Sequence, residues 1–423
     1  MSADVSQKID LTKPKARNYK KFFLKHNPFP STGVPEDSPS FTVDREQVIK
    51  KFENTIFEIM ETDNTILTVM VGENGGGKSH LSKLFRHKIN QQLFSRENGM
   101  LAAYVKNPGS DFFDLFKTMM DDVGKSHIQK LVTDFIAEKI TQDDDFKKFS
   151  KLESYGLFKN NKISLSDLLV DSQYLSYEKT LYNKYFSEIS NADMVYAILS
   201  LVHPDFSIIA WRWLLGDKID RVDQNKILVH SNMASENAYA LLDNFLNTLR
   251  VLGLKYFALF LDELEDITTL HRTKLDSYQN NLRQLIDDNR KYLCLYFSIT
   301  PQQWKKLTGA KVALSRRLST NWFILDEFDE DETRLLIEQY LYYSRSDDFS
   351  TNEAKKRFPD CGPSLCPFTK EAVVAIKKRT KGVISEVLKL GRGLLEGKHD
   401  KHGDPKSITE KDVEEFKLLS GSV

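Results

Sequence analysis

The run GENGGGKS at Gly72–Ser79 constrains this chain more than any other segment. Its glycines, Gly72, Gly75, Gly76 and Gly77, argue against regular helix or strand. It follows TILTVMV (65–71), a largely apolar, β-rich run that suits a buried parallel strand. A helical pattern begins at about Lys78, with Leu81, Leu84 and Phe85 on one face. LAAYV (101–105) reads as a second strand, so these pieces make a βαβ unit. The expected fold is α/β, with a parallel-sheet P-loop core. Such a loop binds phosphate for a physical reason. The backbone N–H groups of Gly72, Glu73, Asn74, Gly75, Gly76 and Gly77 curl around the anion without Cβ clashes. Lys78, Ser79 and His80 open the helix, whose N-terminus favours negative charge. Lys78 is suited to the β- and γ-phosphates of ATP, and the Ser79 hydroxyl to Mg²⁺.

A second constellation lies at the end of YFALFL, where a strand finishes in Asp262-Glu263. Ligands of open parallel sheets bind outside the strands' carboxyl ends. Asp262 is expected to hold the metal and Glu263 to orient and activate the attacking water. Glu265 and Asp266 read as solvated loop acids. The next strand, KYLCLYFSIT (291–300), ends in Ser298 and Thr300. Either hydroxyl could sense the γ-phosphate, or the terminal one could simply cap the turn before Pro301. Arg316 and Arg317 follow in KVALSRRLS. They read as an arginine finger reaching a neighbouring subunit's ATP, or as a surface pair.

Around these motifs the chain divides into five parts. Residues 1–40 form a polar, basic arm ending in a Pro-rich turn. The arm is either a solvated tail packed down by Phe22, Phe23 and Phe29, or a nucleic-acid contact through Lys13, Lys15, Arg17, Lys20, Lys21 and Lys25. Residues 41–109 hold the glycine loop, with Val48, Phe52, Ile56 and Ile59 at helical spacing before it. Residues 110–250 read as a large, mostly helical insert without strong strand signals. Residues 251–328 carry the acid-tipped strand, a helix near 271–290, the strand at 291–300, a loop and the short strand WFIL (322–325). Residues 329–423 read as a helical lid.

The 60 basic and 60 acidic residues cancel, so no global field draws the chain to nucleic acid or membrane. No apolar run approaches the roughly 18 residues that span a bilayer, and no signal core opens the sequence. Cytoplasmic location is the expectation. The three cysteines do not make a disulfide framework. Cys361 and Cys366, with His399 and His402, allow a zinc site on paper, but at unusual spacings; two ordinary thiols are the simpler reading.

With these residues in hand, the chain resembles AAA+ ATPases. The order Gly72–Ser79, Asp262-Glu263, Ser298/Thr300, Arg316-Arg317 and a helical lid carries that likeness. The lid segment FTKEAVVAIKKRTKGVISEVLKLGRGLL resembles the initiator-like branch, that of origin-recognition and replication-initiator proteins. It departs at Gly382-Val383-Ile384-Ser385, where that branch usually carries a sensor arginine; Lys381 and Arg392 are nearby substitutes. WRWLLGD (211–217), LRVLGLKYFALFLDELEDI and SYQNNLRQLIDD resemble the P-loop ATP-binding proteins of BREX-type phage-defence loci. The resemblance implies an ATPase that self-assembles, meets protein partners and acts on a DNA-linked complex. A nucleotide-gated switch with little turnover and a DNA-loading initiator-type ATPase are the alternatives.

Overall fold

The computed structural model describes residues 19–31, 42–43, 45–142, 144–170, 172–235, 238–310, 321–400 and 405–416. Helix α1 (Glu46–Thr62) leads into strand β1 (Ile66–Gly72), then α2 (Lys78–Gln92) and β2 (Met100–Val105). Nine helices among the described residues follow, from α3 (Phe112–Val123) to α11 (Ala238–Val251). The sheet resumes with β3 (Tyr256–Leu261), α12 (Arg272–Asp288), β4 (Leu293–Ile299), α13 (Pro301–Ala310) and β5 (Asn321–Leu325). The last part is helical: α14 (Glu330–Tyr343), α15 (Thr351–Arg357), α16 (Lys370–Thr380), α17 (Ile384–Asp400) and α18 (Glu410–Glu415).

The five strands form one sheet in the order β2-β3-β4-β1-β5, and every pairing is parallel. The chain leaves β1 for the far edge, returns through β3 and β4, and finally lays β5 beyond β1. The carboxyl ends of β1, β3 and β4 therefore open side by side, where α/β sheets hold ligands. This is the P-loop α/β class, with helical parts, that the sequence predicts.

Period-two alternation sorts the strands' side chains onto two faces. Ile66, Met70, Ala102, Tyr104, Ala258, Phe260 and Tyr296 pack with Phe52, Ile56 and Ile59 of α1 and Leu81, Leu84 and Phe85 of α2. Phe52 lies flat on Phe85, with ring centroids 3.8 Å apart. On the other face, Val69, Val71, Ala103, Leu259, Leu261 and Phe297 share one core with Phe112 and Phe116 of α3 and Phe245 of α11. That core runs on into the helices between, through Phe135, Tyr177 and Trp213. The helices between β2 and β3 thus cover the sheet rather than standing apart from it.

Two elements depart from the sequence reading. The stretch after β4, expected as a loop, begins with α13. Pro301 suits a first helical position, where a missing N–H costs nothing, and Thr300 Oγ1 accepts from Gln303 N at 3.4 Å. Trp304 of this helix meets Trp322 of β5 edge-on at 4.6 Å. Helix α15, unmarked by apolar periodicity, is held by its Ser350 cap.

The C-terminal helices have a separate core. Ile337, Leu341, Phe358, Phe368, Ile376, Val387 and Leu395 pack there with Phe22, Phe23 and Phe29 from the N-terminal segment. This segment is strapped down by backbone bonds, Lys25 N to Ser344 O at 2.8 Å and Ser346 N to Phe23 O at 3.0 Å. Lys25 pairs with Asp347 at 2.9 Å; Lys13, Lys15 and Arg17 lie outside the described residues. Cys361 and Cys366 are buried, and burial pushes both thiols up, Cys366 to about 12. Cys361 Sγ donates to Pro367 O at 3.4 Å. The His399 side chain and His402 fall outside the description. No helix among the described residues is long and apolar enough to cross a membrane.

Candidate functional site

The glycine loop joins β1 to α2 at the open edge of the sheet. Gly75 and Gly77 take φ of 80° and 98°, values that favour glycine. Gly77 caps the helix, and its carbonyl accepts the first helical bond, from Leu81 N at 3.0 Å. Glu73, Asn74 and Gly75 are exposed, whereas Ser79 and His80 are half-buried. Lys78 is 7% exposed. Its Nζ curls back to donate to Gly72 O at 2.8 Å and Glu73 O at 3.1 Å.

Asp262 follows β3 immediately, and its N–H donates to Val105 O at 2.9 Å, extending the pairing with β2. Its side chain points to the α2 face and is 1% exposed. Oδ2 accepts from the Tyr104 hydroxyl at 2.7 Å, while Oδ1 is buried without a hydrogen-bond partner. The Ser79 hydroxyl lies beside the same phenol. Burial, then the Asp262 carboxylate, push the Tyr104 phenol far above its usual range, so it stays a donor.

Glu263 turns out of the strand in a left-handed conformation, φ 48°. Its side chain is 41% exposed and lies 3.9 Å from Lys106 Nζ. Burial raises its carboxyl above the usual value; Lys106 opposes this, and Asp262 and Asp266 reinforce it. The Lys78 charge is felt at the same carboxyl. The structure therefore brings Lys78, Ser79, Asp262 and Glu263 together.

Ser298 and Thr300 differ in depth. Ser298 is buried beneath α2, 3.2 Å from Ser82 Oγ. Thr300 sits at the strand's end and caps α13. Arg316 and Arg317 lie outside the described residues.

The tip of the C-terminal helical part rests on the glycine loop. Ser385 N donates to Gly75 O at 3.2 Å. A Cβ placed on Gly75 would stand 2.1 Å from Ser385 Oγ and 3.1 Å from Val383 Cγ1. Gly382 anchors the turn through Phe328 N to Gly382 O at 3.0 Å. Arg392 is committed elsewhere, with Nη1 on Phe29 O at 2.8 Å and Nη2 on Glu396 at 2.9 Å. Lys381 is exposed at the left-handed end of α16.

Sequence reasoning missed Tyr104, Lys106 and the Val383–Ser385 tip as members of this site. One signal was available: a tyrosine near the end of an apolar strand, with a hydroxyl that needs a partner when buried. The oxygen set also bears on a metal. Asp262 Oδ1, buried and without a partner, and the nearby Ser79 hydroxyl are hard donors that suit Mg²⁺.

Residues 206–338 match the family model described as BREX system ATP-binding protein BrxC/D. The match spans β3, β4 and β5 and includes Asp262 and Glu263, but not the glycine loop. Among solved structures, a Walker-type ATPase of Pyrococcus abyssi is 12% identical, covering 89% of this chain and 77% of its own, with a TM-score of 0.34. No curated protein matches the chain. The chain is a P-loop α/β protein that, over residues 206–338, resembles the ATP-binding proteins of BREX systems.

Proposed function

We propose that this chain is an ATPase that binds ATP with Mg²⁺ between the glycine loop and the tip of β3, and hydrolyses it. The observation that carries this reading is the meeting of Lys78 and Ser79 with Asp262 and Glu263 at one open sheet edge, around a buried carboxylate oxygen that lacks a partner. The loop N–H groups cradle the phosphates. Lys78, held ready by the Gly72 and Glu73 carbonyls, moves to the β- and γ-phosphates. Ser79 and Asp262 supply oxygens to the metal, which when bound neutralises charge developing between those phosphates. Glu263, partly exposed and with its pKa raised by burial, orients the attacking water and takes up its proton. Thr300, just past the end of β4, is read as the hydroxyl that holds that water.

We read residues 41–109 and 251–328 as the core, 110–250 as its helical insert and 329–423 as a lid. The family match supports a role in a phage-defence locus, with self-assembly through Arg316 or Arg317 and action on a DNA-linked complex as the finer expectation. The contact of Ser385 with Gly75 favours a second reading, a nucleotide-gated switch with slow turnover.

Lys78→Ala is expected to raise the ATP dissociation constant by at least about tenfold, measured by titration calorimetry. Glu263→Gln is expected to keep that affinity and lower phosphate release by about 10²–10⁴-fold. Unchanged affinity in the first variant, or wild-type turnover in the second, would refute the assignment. Turnover that climbs with protein concentration separates the self-assembling ATPase from the switch.

A further inference from the structure

We propose that Tyr104 is a positioning residue that fixes how the Asp262 carboxylate is turned, leaving one of its oxygens to face the metal. The inference rests on the ATP·Mg²⁺ reading above and concerns a residue in neither motif.

Tyr104 lies on β2, in register with Phe260, two residues before Asp262 and on the same face of the sheet. Its hydroxyl reaches forward to Asp262 Oδ2 at 2.7 Å. A carboxylate can turn about its terminal bond, and its two oxygens are equivalent until a partner distinguishes them. One donor on Oδ2 does. It leaves Oδ1 buried and without a partner. A buried carboxylate oxygen in that condition is costly unless a cation takes it up. The Ser79 hydroxyl stands near the same phenol.

The tyrosine is itself held. Its N–H donates to Asp122 Oδ2 at 2.7 Å, and Asp122 also grips Arg86 of α2 through bonds of 2.5 and 3.0 Å. The strand that carries Tyr104 and the helix that follows the glycine loop are thus referenced to one carboxylate. The Lys83 ammonium sits 5.5 Å from the ring centroid. Packing alone would be met equally well by phenylalanine; the hydroxyl is what the arrangement uses.

The test is Tyr104→Phe in the full chain, which keeps the ring. The probe is a fluorescent ATP analogue, titrated with Mg²⁺ and, separately, in excess EDTA. The Mg²⁺ concentration giving half-maximal nucleotide binding is expected to rise about 10–100-fold, with EDTA affinity within about twofold and an unchanged circular dichroism spectrum. In an Asp262→Ala background the same substitution should add nothing further, a non-additivity that a purely structural role would not produce. An unchanged Mg²⁺ midpoint in a wild type that responds to Mg²⁺ would overturn the tyrosine's role alone. A wild type indifferent to Mg²⁺ would overturn the underlying reading as well. Should Tyr104→Phe fold poorly, Asp122→Asn, which loosens the same strand without touching the hydroxyl, is expected to shift the midpoint in the same direction; no shift would count against the proposal.

Discussion

Glu178 sits fully buried in the helix Tyr174–Leu181, its Oε1 accepting from Ser200 Oγ at 3.0 Å and its Oε2 without a partner. Burial pushes its carboxyl well above the ordinary 4.5. The folded chain therefore holds a proton there that the unfolded chain gives up. The resulting stability is complete below about pH 4.5 and drains away as pH rises toward the native value. Glu178→Gln is expected to remove this slope, so its melting temperature should gain on wild type as pH rises from about 5 toward the native value, by calorimetry; a constant difference would contradict the buried-acid account. Glu263 gives a kinetic counterpart. On the proposed mechanism its raised pKa would place the acid limb of turnover above the usual carboxylate range, the rate falling as pH drops through it. Lys106→Ala removes a charge that lowers that pKa, so the limb should move to higher pH, and only modestly because the pair is largely exposed. At this scale legibility followed contiguity. Lys78, Ser79, Asp262 and Glu263 announced themselves because each motif is unbroken in sequence. Tyr104 and Asp122 did not, because their partners come from neighbouring strands and helices, which sequence spacing does not encode.

Among elements, the strands were the easiest to read, since fully buried parallel strands are continuous apolar runs and all of β1 to β4 is buried. Helices α13 and α15 were harder. Each is set by a local cap rather than by a long apolar stripe: Thr300 before Pro301, and Ser350 accepting from Glu353 N at 3.2 Å. The contact between α17 and the glycine loop was wholly hidden, for it joins residues far apart in sequence. It makes a sharp expectation. Gly75→Ala would put a methyl group 2.1 Å from Ser385 Oγ, at a φ that L side chains rarely adopt. The Val383–Ser385 turn should then lift from the loop. Hydrogen exchange at Ser385 N–H, now bonded to Gly75 O, should quicken by at least about tenfold; protection equal to wild type would show the contact to be incidental.

At the scale of the whole molecule, two side-chain cores flank the sheet and a third, formed by the C-terminal helices and the N-terminal strap, is packed apart from them. Phe29 is the strap's anchor, stacked on Tyr340 at 6.0 Å, edge-on to Phe368 at 5.9 Å and pressed against Gly391. Phe29→Ala is expected to destabilise this third unit by about 3–5 kcal/mol, seen as an early calorimetric shoulder, with the main transition of the sheet left in place. A single transition shifted as one would mean that the units melt together. The same helix that touches the loop also holds the strap: α17 begins at the Ser385–Gly75 bond and, seven residues on, Arg392 grips the Phe29 carbonyl. Seven residues of helix make a rigid rod of about 10 Å. Whatever pries Ser385 from the loop therefore tugs at the segment around Phe29, so that on the proposed reading a distant stretch of the chain would feel the coming and going of nucleotide without ever touching it.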